Sequence, residues 1–225
     1  MKASVKPNMS VRKTFDAELA ELSASLIRMG SEAAGAIDNA IRAFDSHDLQ
    51  LADAVIQGDR RVDDMEREIE RHCLTLLLRQ QPVARDLRII STALKMITDI
   101  ERIGDAAADI AEITRHISGE IPELLVLIDS MAAEARSMVS DAVDAFVASD
   151  MEKAEKVILR DDIVDGAFNS VKGKMVEVLR RDSSLVDVAI DYLMIAKYLE
   201  RLGDHAVNIC EWTEFYKTGV HQTGR

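Results

Sequence analysis

The acidic residues of this chain recur in pairs spaced four positions apart, a spacing that places both side chains on one face of a helix. Glu101 and Asp105 stand in the stretch Asp-Ile-Glu-Arg-Ile-Gly-Asp, and Glu200 and Asp204 in the matching stretch Tyr-Leu-Glu-Arg-Leu-Gly-Asp. Like charges on one face repel, and the glycine before each Asp costs a helix roughly 1 kcal/mol relative to alanine. This locally unfavourable arrangement occurs twice, which indicates that each pair faces a second acidic pair with a cation between them.

Two further acidic pairs have the same spacing, Asp59 with Asp63 and Asp161 with Asp165. Asp59 and Glu101 fall on the apolar stripes of their segments, where a buried carboxylate without a partner costs several kcal/mol. Carboxylate oxygens suit hard or borderline cations such as iron, manganese, magnesium, calcium or zinc. The predicted metal ligands are Asp59, Asp63, Glu101, Asp105, Asp161, Asp165, Glu200 and Asp204.

Other arrangements would also satisfy these carboxylates. Arginines on facing helices would form ordinary ion pairs, a shared proton would neutralise one carboxylate of a pair, and acidic pairs are common on solvated faces. Arg102 and Arg201 are expected to point away from the acidic face, because adjacent residues on a helix do not share a face. The acidic face extends to candidate outer ligands, which are Asp109, Glu112, Asn208 and Glu211.

The histidines argue against a ferritin-like di-iron oxidase. Such sites combine Glu with a Glu-x-x-His motif, which is missing at the repeated stretches, where only His205 adjoins an acidic pair. The sequence also contains no Gly-x-Ser-x-Gly motif, phosphate loop or dinucleotide fingerprint. We therefore expect no enzyme. A ferritin-like metal-handling or oxidising protein and a metal-free helical scaffold stay open as alternatives.

Long helices must hold these residues in place. Apolar residues recur every three to four positions over most of the chain, which predicts amphipathic helices. Thr14 is the predicted cap of the first helix, Pro82 the first residue of the third, and Ser183 or Ser184 the cap of the sixth. The predicted helices are 15–45, 49–79, 82–118, 122–148, 151–180 and 185–218.

The second half of the chain repeats the first. A shift of 102 residues aligns Asp48 with Asp150 and Asp59 with Asp161, and a shift of 99 aligns the third helix with the sixth. Short connections make consecutive helices antiparallel neighbours. We predict an all-α fold of two tandem three-helix bundles, six long antiparallel helices in all. The expected units are a first repeat at 9–118, a second repeat at 119–219, and polar tails at 1–8 and 220–225.

Composition narrows the class of protein further. The net charge of −12 and the pI near 4.9 argue against nucleic-acid binding, which needs a basic face. No stretch approaches the roughly 18–20 uninterrupted apolar residues of a membrane span, and the first eight residues show no signal-peptide pattern. Cys73 and Cys210 lack CxxC spacing, so we expect reduced, buried thiols. The sequence therefore predicts a cytoplasmic protein without membrane insertion.

Several motifs resemble the signature of the PhoU family, and the resemblance extends over about residues 14–217. The motifs are Gln80-Gln81-Pro82-Val83-Ala84-Arg85-Asp86-Leu87-Arg88, Ala93-Leu94-Lys95, the stretch from Asp99 to Asp105, and Phe15-Asp16-Ala17-Glu18-Leu19 with Met29-Gly30.

The resemblance implies a cytoplasmic protein of two tandem repeats that often forms a homodimer. It also implies multinuclear iron or zinc clusters held by Glu/Asp-x-x-x-Asp signatures, which fall on the eight carboxylates named above. One position departs from the family pattern, because the first copy has Ala106 where the second has His205. This difference raises the question whether both clusters are equally occupied.

The function that the resemblance implies is negative regulation of the phosphate-starvation response. The implied partners are the ATPase subunit of the phosphate transporter and a phosphate-sensing histidine kinase, between which the protein acts as an adaptor. Localisation at the inner membrane would then arise through these partners. A soluble, acidic, all-helical body with long helix faces is consistent with such a role.

Overall fold

The computed structural model describes residues 9–80, 82 and 84–220. It contains six α-helices, a short 3-10 turn before the last of them, and no strand among the described residues. The helices are α1 Met9–Ser46, α2 Leu49–Gln80, α3 Ala84–His116, α4 Pro122–Ala148, α5 Met151–Arg181 and α6 Val186–Thr218, and the 3-10 turn is Ser183–Leu185.

The helices form two three-helix bundles, which confirms the predicted all-α fold. Helices α1, α2 and α3 pack on one another, as do α4, α5 and α6, and the two bundles meet through α3 against α6 and α1 against α4. Equivalent helices of the two repeats therefore face each other across the boundary. None of the described helices combines the length and the apolar character that a membrane span requires.

The tight connections that follow α1 and α4 show the duplication at atomic level. His47 and Ser149 take the left-handed conformation, with φ of 50° and 53°. The next residue caps the following helix in both repeats, because the carboxylate of Asp48 accepts from the N–H of Leu51 and that of Asp150 from the N–H of Lys153, each at 3.0 Å. These four residues are related by the shift of 102 that the sequence shows.

Three predicted helix starts differ from the structure. The first helix begins at Met9 rather than after Thr14, because no helix-breaking residue intervenes and each added residue gains a hydrogen bond. The third begins at Ala84 and leaves Pro82 outside, a difference within the usual spread of helix boundaries. Neither Ser183 nor Ser184 caps the sixth helix. Asp182 instead accepts from the N–H of Ser184 at 2.9 Å and caps the 3-10 turn. The tails 1–8 and 221–225 lie outside the described residues.

The core is continuous through both repeats and consists mainly of aliphatic side chains. Its largest buried side chain is Tyr192, whose ring packs edge-on against Phe44 of α1 at 5.3 Å between centroids. Cys73 and Cys210 are free and buried, as predicted, and burial raises the pKa of both thiols to about 12. Neither thiol is therefore a nucleophile at neutral pH.

A glycine permits the close contact of α1 with α4 at the boundary between the repeats. A Cβ added at Gly30 would lie 2.8 Å from Cγ2 of Val143, whereas one added at Gly35 meets no atom within 4 Å. We predict that Gly30→Ala lowers the free energy of unfolding by about 1–3 kcal/mol through overpacking. In contrast, Gly35→Ala is expected to raise it by up to about 1 kcal/mol through helix propensity.

Urea denaturation of both variants tests this prediction. Adding Val143→Ala to Gly30→Ala makes room for the new methyl group, and the double variant should recover stability relative to Gly30→Ala alone. Equal effects of the two glycine substitutions would show that the contact between Gly30 and Val143 does not limit helix packing.

Candidate metal centre

The glycine of each repeated stretch lies beneath an aspartate of the neighbouring helix. A Cβ added at Gly104 of α3 would lie 3.3 Å from Oδ1 of Asp59 on α2, and one at Gly203 of α6 would lie 2.9 Å from Oδ1 of Asp161 on α5. The glycines that weaken the isolated helices therefore allow these carboxylates to approach the neighbouring backbone. This explains why both copies of the stretch carry glycine immediately before the second acidic residue.

In the first repeat, carboxylates from α2 and α3 converge. One oxygen each of Asp59, Asp63 and Asp105 lies within 4.8 Å of the other two. Two oxygens bound to one divalent ion at 2.0–2.6 Å lie at most about 4–5 Å apart. Oδ1 of Asp59 and Oε2 of Glu101 are buried and accept no hydrogen bond. Converging anionic oxygens with unused acceptor capacity fit a bound cation.

Electrostatic repulsion at this cluster appears in the pKa values. Burial, and then the charges of Asp105, Asp63 and Asp109, raise the pKa of Asp59 to about 6. Burial and the charge of Asp105 also raise the pKa of Glu101, although Arg102 opposes them. The cluster therefore disfavours its own fully ionised form, and either protons or a cation relieve the repulsion.

Arginines do contact the cluster, so the expectation that Arg102 points away from the acidic face is wrong. Its long side chain folds back along α3, where Nη1 donates to Oδ2 of Asp105 at 2.8 Å and Nε lies 3.4 Å from Oε2 of Glu101. Arg67 contacts Asp63 at 3.3 Å. The Arg102 and Arg67 side chains are 57% and 61% exposed. Exposed ion pairs of this kind contribute only about 0–1 kcal/mol.

The second repeat brings the corresponding four residues near one another between α5 and α6. Oδ1 of Asp161 is again buried without a hydrogen bond. Burial and the charges of Asp204, Asp165 and Glu200 raise the pKa of Asp161 to about 6. Among the residues that the structure describes, however, a convergence of three carboxylates occurs only in the first repeat. In the second, the Lys197 ammonium pairs with Glu200.

The histidine that distinguishes the two copies is engaged at the boundary between the repeats. Nδ1 of His205 and the amide nitrogen of Asn208 both lie 3.0 Å from Oδ1 of Asp99 on α3. The hydroxyl of Tyr198, which occupies the position of Asp99 in the second copy, hydrogen-bonds Asp109 in return. Asp99 near the middle of α3 contacts His205 and Asn208, whereas Asp109 further along α3 contacts the earlier residue Tyr198 of α6. The two helices therefore run antiparallel.

These contacts change the interpretation of the candidate outer ligands. Asp109 and Asn208 form hydrogen bonds across the boundary between the repeats, although the charge of Asp109 also reaches Asp59. Sequence reasoning missed Asp99, whose side chain is only 14% exposed. The available signal was the first position of the repeated stretch, where Asp99 stands against Tyr198. Among the residues that the structure describes, Glu112 and Glu211 have no comparable contact.

The raised pKa values predict how the stability of metal-free protein depends on pH. Asp45, Asp59 and Asp161 have pKa values raised from 3.8 to about 6, Asp45 through partial burial and its hydrogen bond with Asp129 of α4. The native state thus retains protons that the unfolded chain releases above pH 4. The stabilisation by these protons is complete below about pH 4 and is lost as pH rises through 6.

We therefore expect the triple variant Asp45→Asn, Asp59→Asn, Asp161→Asn to lose less stability than the parent protein between pH 5 and pH 7.5. Urea denaturation of chelator-dialysed protein at both pH values measures the difference. An equal or greater loss in the triple variant would contradict the raised pKa values, whatever the other acidic groups contribute to both proteins.

The fold and the two clusters define a class of protein. It is a duplicated all-α bundle whose second and third helices present four carboxylates in each repeat. A model of the PhoU domain matches residues 26–114 and 128–213, which covers both repeats. The chain belongs to the PhoU family.

Similar proteins match over nearly the whole chain. A phosphate-specific transport system accessory protein PhoU homolog of Clostridium acetobutylicum is 39% identical over 210 residues, covering 92% of this chain and 96% of the relative. The Escherichia coli K12 phosphate-specific transport system accessory protein PhoU is 31% identical, covering 96% and 90%. The crystal structure of PhoU from Pseudomonas aeruginosa superposes with a TM-score of 0.88 at 32% identity, covering 92% of this chain and all of that one.

Proposed function

We propose that this protein is a cytoplasmic regulatory adaptor of phosphate homeostasis, a negative regulator of the phosphate-starvation response. In this role it links the ATPase subunit of the phosphate transporter to a phosphate-sensing histidine kinase and acts as a homodimer. The observation that carries the proposal is the similarity of both repeats, over more than nine-tenths of the chain, to accessory proteins of the phosphate-specific transport system. A Streptococcus pneumoniae relative of similar structure is described as the regulatory protein of that system.

Deletion of the gene tests the regulatory role. We expect phosphate-scavenging genes to be expressed in high phosphate when the protein is missing, and to be repressed again when it is supplied on a plasmid. Normal repression in the deletion strain would remove the regulatory role. Light scattering of the purified protein tests whether two copies associate.

We further propose that the carboxylate clusters bind metal ions, with iron or zinc as the expected ions. In the first repeat Asp59, Asp63, Glu101 and Asp105 would hold the ion, and in the second Asp161, Asp165, Glu200 and Asp204. The support is the convergence of oxygens from α2 and α3 together with the buried acceptors of Asp59 and Glu101. A bound divalent ion would neutralise the cluster and cross-link two helices.

Elemental analysis of protein purified without a metal-affinity tag tests the metal proposal. The double variant Glu101→Ala, Asp105→Ala should contain less metal than the parent protein and should melt at a lower temperature, since a ligand of the native state stabilises it. An unchanged ratio of metal to protein in the double variant would show that Glu101 and Asp105 are not metal ligands.

A metal-free helical scaffold is the competing candidate, and the ion pairs of Arg102 and Arg67 with the first cluster favour it. It predicts no metal in either protein and full stability in chelator. A ferritin-like oxidase would instead consume oxygen when ferrous iron is added, which an oxygen electrode detects directly.

A further inference from the structure

The repeats differ at several positions beside the carboxylate clusters, and two of these differences concern Lys197 and Phe168. In the register that aligns Glu101 with Glu200, the second repeat has Lys197 where the first has Thr98. In the register that aligns Asp59 with Asp161, the second repeat has Phe168 where the first has Glu66. Both replacements make the surroundings of the second cluster less negative.

The side chain of Lys197, which is 46% exposed, lies at the seam between α5 and α6. Its ammonium forms an ion pair with Glu200, whose side chain is only 14% exposed. It lies 5.5 Å from the ring centroid of Phe168 on α5, a distance at which the face of an aromatic ring attracts a cation. Burial and the charge of Glu200 raise the pKa of Asp204, and the Lys197 ammonium opposes this rise. One lysine therefore contacts residues of both helices that form the cluster.

The first cluster lacks both of these features. Thr98 carries no charge, and Glu66 adds a half-buried carboxylate whose charge raises the pKa of Glu101. Two exposed arginines pair with this cluster, because Arg102 hydrogen-bonds one oxygen of Asp105 and Arg67 contacts Asp63 at 3.3 Å. Oxygens of Asp59, Asp63 and Asp105 nevertheless remain within 4.8 Å of one another. The converging oxygens that a divalent ion would bind therefore persist beside both arginines.

Arg201, the counterpart of Arg102, does not take over this task in the second repeat. It is exposed, and its charge acts on Asp109 of the facing helix α3, where it opposes the rise in pKa that burial causes. Lys197 is therefore the basic side chain that pairs with Glu200, and its charge, together with that of His205, opposes the raised pKa of Asp204. Asp165 is also exposed in the second cluster, whereas its counterpart Asp63 is half-buried.

We propose that the ammonium of Lys197 supplies within the second cluster the positive charge that a metal ion supplies in the first. The two repeats are then unequal, with a tight divalent-cation site between α2 and α3 and a weak one between α5 and α6. This inference rests on the proposed metal binding. An internal ammonium and a divalent ion compete for the same oxygens, because like charges repel at short distance.

Reciprocal exchange of the two residues tests the inference. Lys197→Thr gives the second cluster the residue of the first, and Thr98→Lys does the reverse. Chelator-treated protein is titrated with Zn²⁺ in competition with a fluorescent chelator, which reports the number of sites and their affinity. We expect tight binding by one cluster in the parent protein and by both in Lys197→Thr. We also expect Zn²⁺ affinity at least about tenfold weaker in Thr98→Lys, a factor that corresponds to about 1.4 kcal/mol.

Two controls locate the effect. Adding Asp161→Asn to Lys197→Thr should remove the gained site, and Lys197→Arg should behave like the parent protein because it keeps the charge. In chelator, Lys197→Thr should melt at a lower temperature than the parent protein, since Glu200 and Asp204 lose their cation, and Thr98→Lys at a higher one.

The outcomes separate the two proposals. Equal, tight binding by both clusters of the parent protein, or a Zn²⁺ stoichiometry unchanged by Lys197→Thr, would overturn the role of Lys197 while metal binding stands. Zn²⁺ binding that is missing from the parent protein and from every variant would overturn both proposals together.

Discussion

Replacing Asp59 with asparagine should change stability in opposite directions in chelator and in metal. At pH 7.5 the parent carboxylate is ionised although its pKa is raised to about 6, so its ionisation opposes folding. The shift corresponds to at most about 3 kcal/mol, and solvent screening of this half-buried group reduces the effect to on the order of 1 kcal/mol. In chelator, Asp59→Asn should therefore be the more stable protein.

With metal present the order should reverse. A ligand at 100 times its dissociation constant stabilises the native state by about 2.7 kcal/mol, and the variant loses most of this gain because one of three converging carboxylates is neutral. Set against the gain of about 1 kcal/mol from the lost repulsion, the net loss is about 1.5 kcal/mol. In a chain of this size it corresponds to a fall of about 3–6 °C in melting temperature relative to the metal-bound parent. Thermal denaturation in EDTA and in excess zinc measures both differences.

A matched control stands on the same helix. Asp64 follows Asp63 on α2, but its side chain is 76% exposed and pairs only with Arg67 at 3.0 Å. Asp64→Asn should change stability little in either condition, as exposed ion pairs contribute about 0–1 kcal/mol. If Asp59→Asn shifts the melting temperature in the same direction in chelator and in zinc, the proposal is wrong that a bound ion neutralises the repulsion within the first cluster.

Spacing and register were sufficient to predict the fold and to select the residues that the two clusters bring together. The period of apolar residues fixes which face of each helix is buried, and the shift of 102 relates Asp48 to Asp150 before any contact is known. The four-residue spacing likewise places Glu101 and Asp105 on one helical face. Each of these features depends on residues close together in the sequence or on the internal repeat, so helical periodicity and alignment of the two halves are enough to predict it.

Contacts between helices could not be predicted in the same way. The sequence does not state which helices of the two repeats pack against each other. The contact of Asp99 with His205, 106 residues apart, could therefore not be predicted. The positions of long basic side chains were equally unpredictable, since Arg102 folds back onto its own helix and the Lys197 ammonium lies 5.5 Å from the Phe168 ring of the neighbouring helix α5. Such positions depend on the rotation of each helix about its axis and on the neighbours that this rotation provides.

The boundary between the repeats supplies the second large effect. Asp99→Ala should lower the free energy of unfolding by about 2–3 kcal/mol, because hydrogen bonds to a charged acceptor contribute about 1.5–3 kcal/mol and their loss leaves polar groups partly buried. His205 and Asn208 both contact the same carboxylate oxygen at 3.0 Å, and the Asp99 and His205 side chains are only 14% and 21% exposed. The expected fall in melting temperature is about 5–10 °C.

The pair of Asp53 with Arg115 provides the comparison. It also links two helices, α2 and α3, at 3.1 Å, but both side chains are more than half exposed, so Asp53→Ala should cost no more than about 1 kcal/mol. Asp99→Asn keeps one acceptor oxygen and should lose less stability than Asp99→Ala. Equal losses in Asp99→Ala and Asp53→Ala would mean that α3 and α6 are held by their apolar contacts alone. A larger loss in Asp99→Ala would show that the Asp99 carboxylate stabilises the packing of α3 against α6. The second repeat has Tyr198 at the corresponding position.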